Sequence, residues 1–387
     1  MVTGYGPRLQ GVRELFMPPL TKNMAHEVRQ TANITESTSS LWHHIKDDRS
    51  LLSLGHAHML SSALFAALEL GVFDKLHKSQ GLSPSALAAA LDCPAENIQR
   101  LLVVCHALGL LNENDGLYKN SELADHRLVA CAPHSYVPVL LHQKKHVYPA
   151  FDNLIQAIQA TGSTSAFPGK SIYDRLNASE RDIFIRSLNF YATGVGKLIA
   201  ETVDLTSINH MTDIGCGGGQ VALELLTAAP HLCMTLVDGS ETISYIQSCQ
   251  NMLPFRDRID CLTADILKPW VDEVYVTDAV MLSSVLGDWH TTARKQILHN
   301  ANTLLKKDGM LLISETLVDE NQENALRSGI ISLYVLTLTN GGNNYTQTAW
   351  RDELRQSGFE IENVHFFANL GKRDLIVARK INELSLI

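Results

Sequence analysis

The spacing of apolar residues divides the chain into two regimes. Leu51–Leu76 (LLSLGHAHMLSSALFAALELGVFDKL) repeats them every three or four positions and is rich in alanine, which predicts a long amphipathic helix. A second helix is predicted from Ser83-Pro84 onward (SPSALAAAL). After a break at Asp92-Cys93-Pro94, a third runs over Ala95–Leu108. Turn residues Asn112–Gly116 and the strand-like LYKN follow, so helix, helix and a small β wing form a winged-helix pattern. Residues 131–200 read as helical, rich in His and aromatics, with a loop at Gly162–Gly169. From about Leu205 the period changes. Short β-compatible runs at 211–214, 234–237, 259–263, 278–282, 309–314, 361–367 and 374–379 alternate with helices. That alternation predicts a mainly parallel, doubly wound α/β sheet.

The most informative stretch is Asn209–Asp238, read as strand, glycine turn, helix and strand. Met211–Ile214 form the first strand, Val221–Ala228 the helix and Thr235–Val237 the next strand. Gly215, Gly217, Gly218 and Gly219 lack the Cβ atoms that would block a tight turn and close ligand approach. Asp238, about 20 residues past the turn, is placed to bind ribose hydroxyls. Asp213 stands two residues before the first glycine, and the turn DIGCGGGQ is nearer D-x-G-x-G-x-G than the pyrophosphate-binding G-x-G-x-x-G. An acid there would repel a diphosphate but suits the cationic methionine end of S-adenosylmethionine (SAM). Asp265, in TADIL after another short strand, fits an acceptor for the adenine amino group. An ordinary βα turn with surface acids is the bland alternative.

Composition narrows the partners. A chain of 387 residues with 45% hydrophobic content can build two cored domains. The net charge is −9 with scattered basic residues, and Ala95–Leu108 carries Arg100 as its only formal positive charge, which disfavours nucleic acid. The module is therefore read as one for dimerisation. Seven cysteines lie singly, without CxxC or Cys/His metal spacing, which suggests reduced thiols in the cytoplasm and no metal. No run is expected to approach a membrane span, and the start lacks the apolar core of a signal peptide. Trp42, at the end of the arm, either anchors a partner subunit or caps a ligand pocket.

These residues resemble the class I SAM-dependent O-methyltransferases of the plant caffeate and bacterial polyketide type. The resemblance covers roughly residues 51–380. It rests on the winged-helix pattern, DIGCGGGQ, Asp238, VLGDW at 285–289, KKDGMLLISE at 306–315, NGGNNYT at 340–346 and SGF at 357–359. It implies an intertwined homodimer, a small-molecule natural-product substrate, and a cofactor site at Asp213, Gly215, Gly217, Asp238, Asp265 and Ile266. The implied organisation is an arm at 1–50, a winged-helix-like dimerisation domain at 51–130, helices roofing the pocket at 131–204, and a SAM-binding Rossmann-like domain at 205–387.

The departures from that family bear on function. Its catalytic segment reads His-Asp-Trp with acids soon after, the His being the general base. Here Gly287-Asp288-Trp289-His290-Thr291-Thr292 puts glycine at the base and threonines at the acids, and Ser283 stands where many members have lysine. Asn324–Arg351 contains no Asp or Glu. A non-methylating branch of the same fold, exemplified by the leporin-pathway pericyclase, also replaces that His. The sequence reading therefore favours a pericyclase or dehydratase that uses SAM without consuming it. A genuine O-methyltransferase acting on a phenolic or polyketide hydroxyl is the alternative, and a non-catalytic SAM-binding protein a third. His134 and His290 are the candidates for proton transfer, with Asp288 as the orienting acid. Trp42, Gly287 and Trp289 are the candidates for the substrate pocket. His142 and His146, four apart on a helix, could share a face.

Overall fold

The computed structural model describes residues 45–160, 176–270, 276–318, 325–367 and 373–381. The chain forms two compact units, Met1–His58 and Met59–Ile387. Trp42 lies outside the described residues.

The first helix among the described residues spans Asp48–Leu70 and stops at Gly71, whose φ of 76° a side chain would disfavour. A short helix, Val72–Leu76, follows, so the single helix expected over Leu51–Leu76 is two. Pro84–Ala90 is capped by the Ser83 side chain, which accepts the Ala86 N–H, and Ala95–Ala107 follows after Pro94. The wing is a hairpin of β1 (Leu111–Asn114) and β2 (Leu117–Asn120). Asn112–Asn114, expected as turn, are strand, because the reversal needs only Asp115 and Gly116, both at positive φ. Phe73, Leu76, Leu87, Leu102 and Leu111 close this module's own core.

The expectation that no run reaches a membrane span is overturned. Asp48–Leu70 is 23 residues long and apolar enough to cross one by length and composition. Few of its residues are buried; Leu51, Leu52, Leu54, Met59 and Leu60 are exposed.

The α/β region holds seven strands in the order β5-β4-β3-β6-β7-β9-β8. These are β3 (His210–Ile214), β4 (Cys233–Asp238), β5 (Ile259–Thr263), β6 (Thr277–Ser283), β7 (Leu305–Glu315), β8 (Phe359–His365) and β9 (Asp374–Lys380). The first five in that order are parallel, and β9 and β8 join antiparallel. Both faces are covered. In β6, Ala279 and Met281 enter one core while Val280 and Leu282 enter the other. In β7, Met310 and Leu312 oppose Leu311 and Ile313 in the same way. This is why these strands read as continuous apolar runs rather than alternating ones.

Candidate functional site

In a parallel sheet, ligands gather at the carboxyl ends of the strands. Here that edge carries acids and hydroxyls: Asp213 near the end of β3, Asp238 at the end of β4, Thr263 at the end of β5, Ser283 at the end of β6 and Glu315 at the end of β7. A cavity of about 660 Å³ lies along it, lined by Asp213, Gly215, Gly217, Asp238, Asp265 and Ile266 among others. All six residues expected at the cofactor site thus meet in one cavity.

The glycine turn is shaped by close approach. Gly215 has φ 71°, and a Cβ there would sit 2.6 Å from Val285 Cγ2. Gly217, at φ 54°, donates its N–H to Asp238 Oδ2 at 2.9 Å, tying the acid of β4 to the turn. Helix Ala178–Ala192 brings Asn189 down onto Gly218. Asp265 Oδ1 accepts the Leu267 N–H at 3.0 Å, and Asn300 Nδ2 holds the Ile266 and Lys268 carbonyls, which fixes this loop.

Charge at the turn is unbalanced. Asp213 is buried, and neither carboxylate oxygen has a hydrogen-bond partner; Asn189 Oδ1 is in the same position. Burial, and then the neighbouring Asp238, push the Asp213 pKa up to about 7. Asp238 is also raised by burial, against the N–H groups of Gly217 and Gly239 and the Thr242 side chain. Three buried acceptors without donors, all in one cavity wall, fit a cation that carries N–H groups. The amino group and sulfonium of SAM have that chemistry, and a diphosphate does not. Asp213 and Asn189 would face the cationic end, and Asp238 the ribose.

The segment after β6 adds Ser284, Val285 and Trp289 to the cavity lining. Leu286–Asp288 make a single 3₁₀ turn. Trp289 lines the cavity and pairs by a β-bridge with Asn340. Gly287 is buried, and its carbonyl accepts the Asn343 N–H at 2.9 Å. The sequence reading put Asp288 here as an orienting acid and found threonines in place of the family's following acids. The structure supplies a further acid from another strand: Glu315 Oε1 accepts the N–H groups of Val285 (3.0 Å) and Gly287 (3.2 Å). Burial first, then Asp288, push its pKa up to about 7, while Arg373 pulls against them. Asp288 is half-buried beside Glu315 and Tyr334.

Two expected proton-transfer residues lie elsewhere. His134 sits exposed in a turn outside the cavity lining, where its carbonyl accepts from Arg127. His290 is the exposed N-cap of helix Thr291–Leu304, its Nδ1 accepting the Ala293 N–H at 3.4 Å. The helix starts at Thr291 rather than Asp288, so His290 does not share a helical face with Gly287. His142 and His146 do come together, with ring centroids 5.4 Å apart on either side of the start of a π-helical turn, Gln143–Val147. His142 Nε2 meets the Tyr334 hydroxyl at 3.1 Å, and burial, then His146, hold its pKa down at about 4, so it is neutral.

Sequence reasoning missed Asn189, Glu315 and Arg373. Only Glu315 had a local signal: LLISE ends a buried strand on an acid, as VD does at Asp238. Arg373 lines the cavity and donates to Ser283 Oγ at 3.0 Å, a pairing across 90 residues that nothing local announces.

Comparison with known proteins agrees with this geometry. The O-methyltransferase domain family matches residues 151–360, and the O-methyltransferase dimerisation domain matches residues 52–130. The chain is 28% identical over 322 residues to 3-hydroxy-5-methyl-1-naphthoate 3-O-methyltransferase of Streptomyces sahachiroi, covering 83% of this chain and 92% of that one. It is also 28% identical over 345 residues to human acetylserotonin O-methyltransferase, covering 86% and 97%. The crystal structure of human N-acetylserotonin methyltransferase in complex with SAM superimposes with a TM-score of 0.76 at 26% identity, covering 88% of this chain and all of that one.

Proposed function

The chain belongs to the O-methyltransferase family, and from that premise we propose that it transfers a methyl group from SAM to a hydroxyl of an aromatic natural product. The observation that carries the proposal is the set of unpartnered acceptors, Asp213 and Asn189, in the wall of the cavity at the glycine turn. A buried carboxylate without a donor is costly, and a bound cation removes that cost. When bound, SAM supplies an electrophilic methyl group on a positively charged sulfur. The chain's own residues hold and orient it: Asp213 faces the cation, Asp238 takes the ribose hydroxyls, and Asp265 with Ile266 receives the adenine. Phe184, Leu188, Val285 and Trp289 offer an apolar wall for a flat ring. The relatives named for hydroxynaphthoate and acetylserotonin O-methylation support an aromatic acceptor.

A homodimer belongs to the same proposal, supported by the dimerisation-domain match and the exposed apolar side chains of Asp48–Leu70. So does a cytoplasmic location, supported by seven cysteines that are all free thiols.

One observation favours a second reading. Gly287 gives no imidazole, so a pericyclase or dehydratase that holds SAM without consuming it would also fit the site. Both readings are tested by incubating the protein with SAM and a panel of phenols, hydroxynaphthoates and hydroxypyridones while following S-adenosylhomocysteine by mass spectrometry. Methyl transfer predicts release matched mole for mole by a methylated product. Isomerised or dehydrated product with SAM intact would replace it by the second reading.

A further inference from the structure

The charges lining the cavity are unevenly placed. Asp265, Asp238 and Asp213 follow one another along the sheet edge, from the loop after β5 through β4 to β3. Two arginines line the same cavity among the described residues, Arg181 and Arg373. Arg181 is held by the helix that follows β4: its Nη1 lies 2.8 Å from Glu241 Oε1, and its Nη2 donates to the Leu176 carbonyl at 3.3 Å. Arg373 stands at the other end, beside β6, where its Nη1 donates to Ser283 Oγ at 3.0 Å.

The position of this second guanidinium is fixed by the sheet. Arg373 is half-buried, and the chain directly after it is anchored. Asp374 opens β9 in register with Glu315, and its carboxylate accepts the N–H groups of Leu317 and Phe367, each at 2.9 Å, with Arg327 3.5 Å away. Ser283 lets the guanidinium approach, because its oxygen accepts an N–H where a cationic side chain would repel it. Glu315 also feels the charge of Arg373. Burial keeps that acid protonated up to about pH 7, so at neutral pH it supplies only part of a counter-charge.

We propose that Arg373 and Ser283 form a carboxylate-binding subsite for the methyl acceptor, which makes the substrate class a hydroxylated aromatic acid rather than a simple phenol; this rests on the methyl-transfer reading above. A guanidinium presents its N–H groups in a planar fork that matches the two oxygens of a carboxylate, and the bond to Ser283 holds that plane in place. Beside a sulfonium, a second cation raises the cost of binding SAM unless an anion lies close to it. An acid group on the acceptor supplies that anion at β6, the neighbour of β3, whose Asp213 faces the cofactor's cation. The ring then meets Val285, two residues past Ser283, and Trp289 in the same lining. The carboxylate of SAM itself shares a carbon with the ammonium that Asp213 and Asn189 receive. That end lies at the glycine turn, where helix Gln220–Ala228 begins and presents its first N–H groups.

The test is acceptor binding, measured by calorimetry on the full chain saturated with S-adenosylhomocysteine. The ligands are a hydroxynaphthoate, its neutral carboxamide and the naphthol that lacks the acid group. The unmodified protein should bind the acid about tenfold or more tighter than the other two, with the advantage shrinking as salt rises. Arg373→Gln should weaken the hydroxynaphthoate by about that factor and the naphthol by no more than about threefold. Arg373→Lys should recover only part of the loss, because an ammonium lacks the fork. In turnover the loss should fall on KM for the acid, with kcat nearly kept. Equal affinities of the unmodified protein for the three ligands would overturn the subsite before any variant is made, and so would equal losses for acid and naphthol in Arg373→Gln. A variant that loses affinity for SAM but not for decarboxylated SAM would assign the guanidinium to the cofactor and also overturn the subsite. Selective binding of the acid without S-adenosylhomocysteine release would keep the carboxylate subsite and overturn methyl transfer. Release from naphthols and hydroxynaphthoates at equal KM would do the reverse.

Discussion

At the scale of single residues, Asp213 couples folding to pH. The folded protein keeps its proton up to about pH 7, whereas an unfolded chain releases it near 3.8. Folding therefore takes up a proton between those values, and stability falls as pH rises through them and levels off above about 7. The slope is about 1.4 kcal/mol per pH unit for one fully displaced proton. Glu315 adds a second contribution of the same sign from 4.5 to about 7. Asp213→Asn should flatten the ligand-free stability profile between pH 5 and 7, as read by urea unfolding, and should weaken SAM binding at least tenfold. A profile as steep as that of the unmodified protein would mean that Asp213 holds no extra proton. The Asp213 side of the site was legible in DIGCGGGQ, because an acid beside a glycine turn is a local signal. Glu315 was visible as a letter but not as a neighbour of Gly287, since 28 residues and the pairing of β6 with β7 separate them.

At the scale of elements, the wall that carries Trp289 is fastened by one buried cation. Arg294, 1% exposed, pairs with Glu353 of helix Gln347–Gln356 through two hydrogen bonds of 3.0 Å. Its Nη1 also donates to the Trp289 carbonyl at 2.8 Å and the Tyr345 hydroxyl at 2.7 Å, and its guanidinium lies over the Tyr345 ring. Removing one partner of a buried pair strands the other, at a cost of about 3–5 kcal/mol. Arg294→Leu should lose stability of that order in denaturant unfolding and also loosen the Trp289 wall, weakening acceptor binding. Arg294→Lys should recover little, because an ammonium cannot reproduce the forked contact. A midpoint unmoved by either change would show that helices Thr291–Leu304 and Gln347–Gln356 are held by apolar packing alone. The sequence reading placed unspecified helices between the strands and gave no reason to join Arg294 to Glu353.

At the scale of the whole molecule, helix Asp48–Leu70 presents Leu51, Leu52, Leu54, Met59 and Leu60 to solvent in the single chain. An apolar run of that kind is costly in water and is usually covered. The homodimer proposal predicts twice the chain mass of 42.7 kDa by light scattering at micromolar concentration, and monomers for Leu52→Glu/Met59→Glu. A monomeric unmodified protein would remove the dimer from the proposal. What the sequence determined by itself is what short-range physics encodes. The period of apolar residues set the helices and the strands, and turn chemistry set the glycine loop and its two acids. The tertiary structure alone decided what meets across the chain: Asn189 over Gly218, Arg373 beside Ser283, Glu315 against the Gly287 backbone, and His290 turned out as a helix cap rather than in as a base. Those contacts follow from strand order and from where each helix begins, and neither is set by the residues nearest to them.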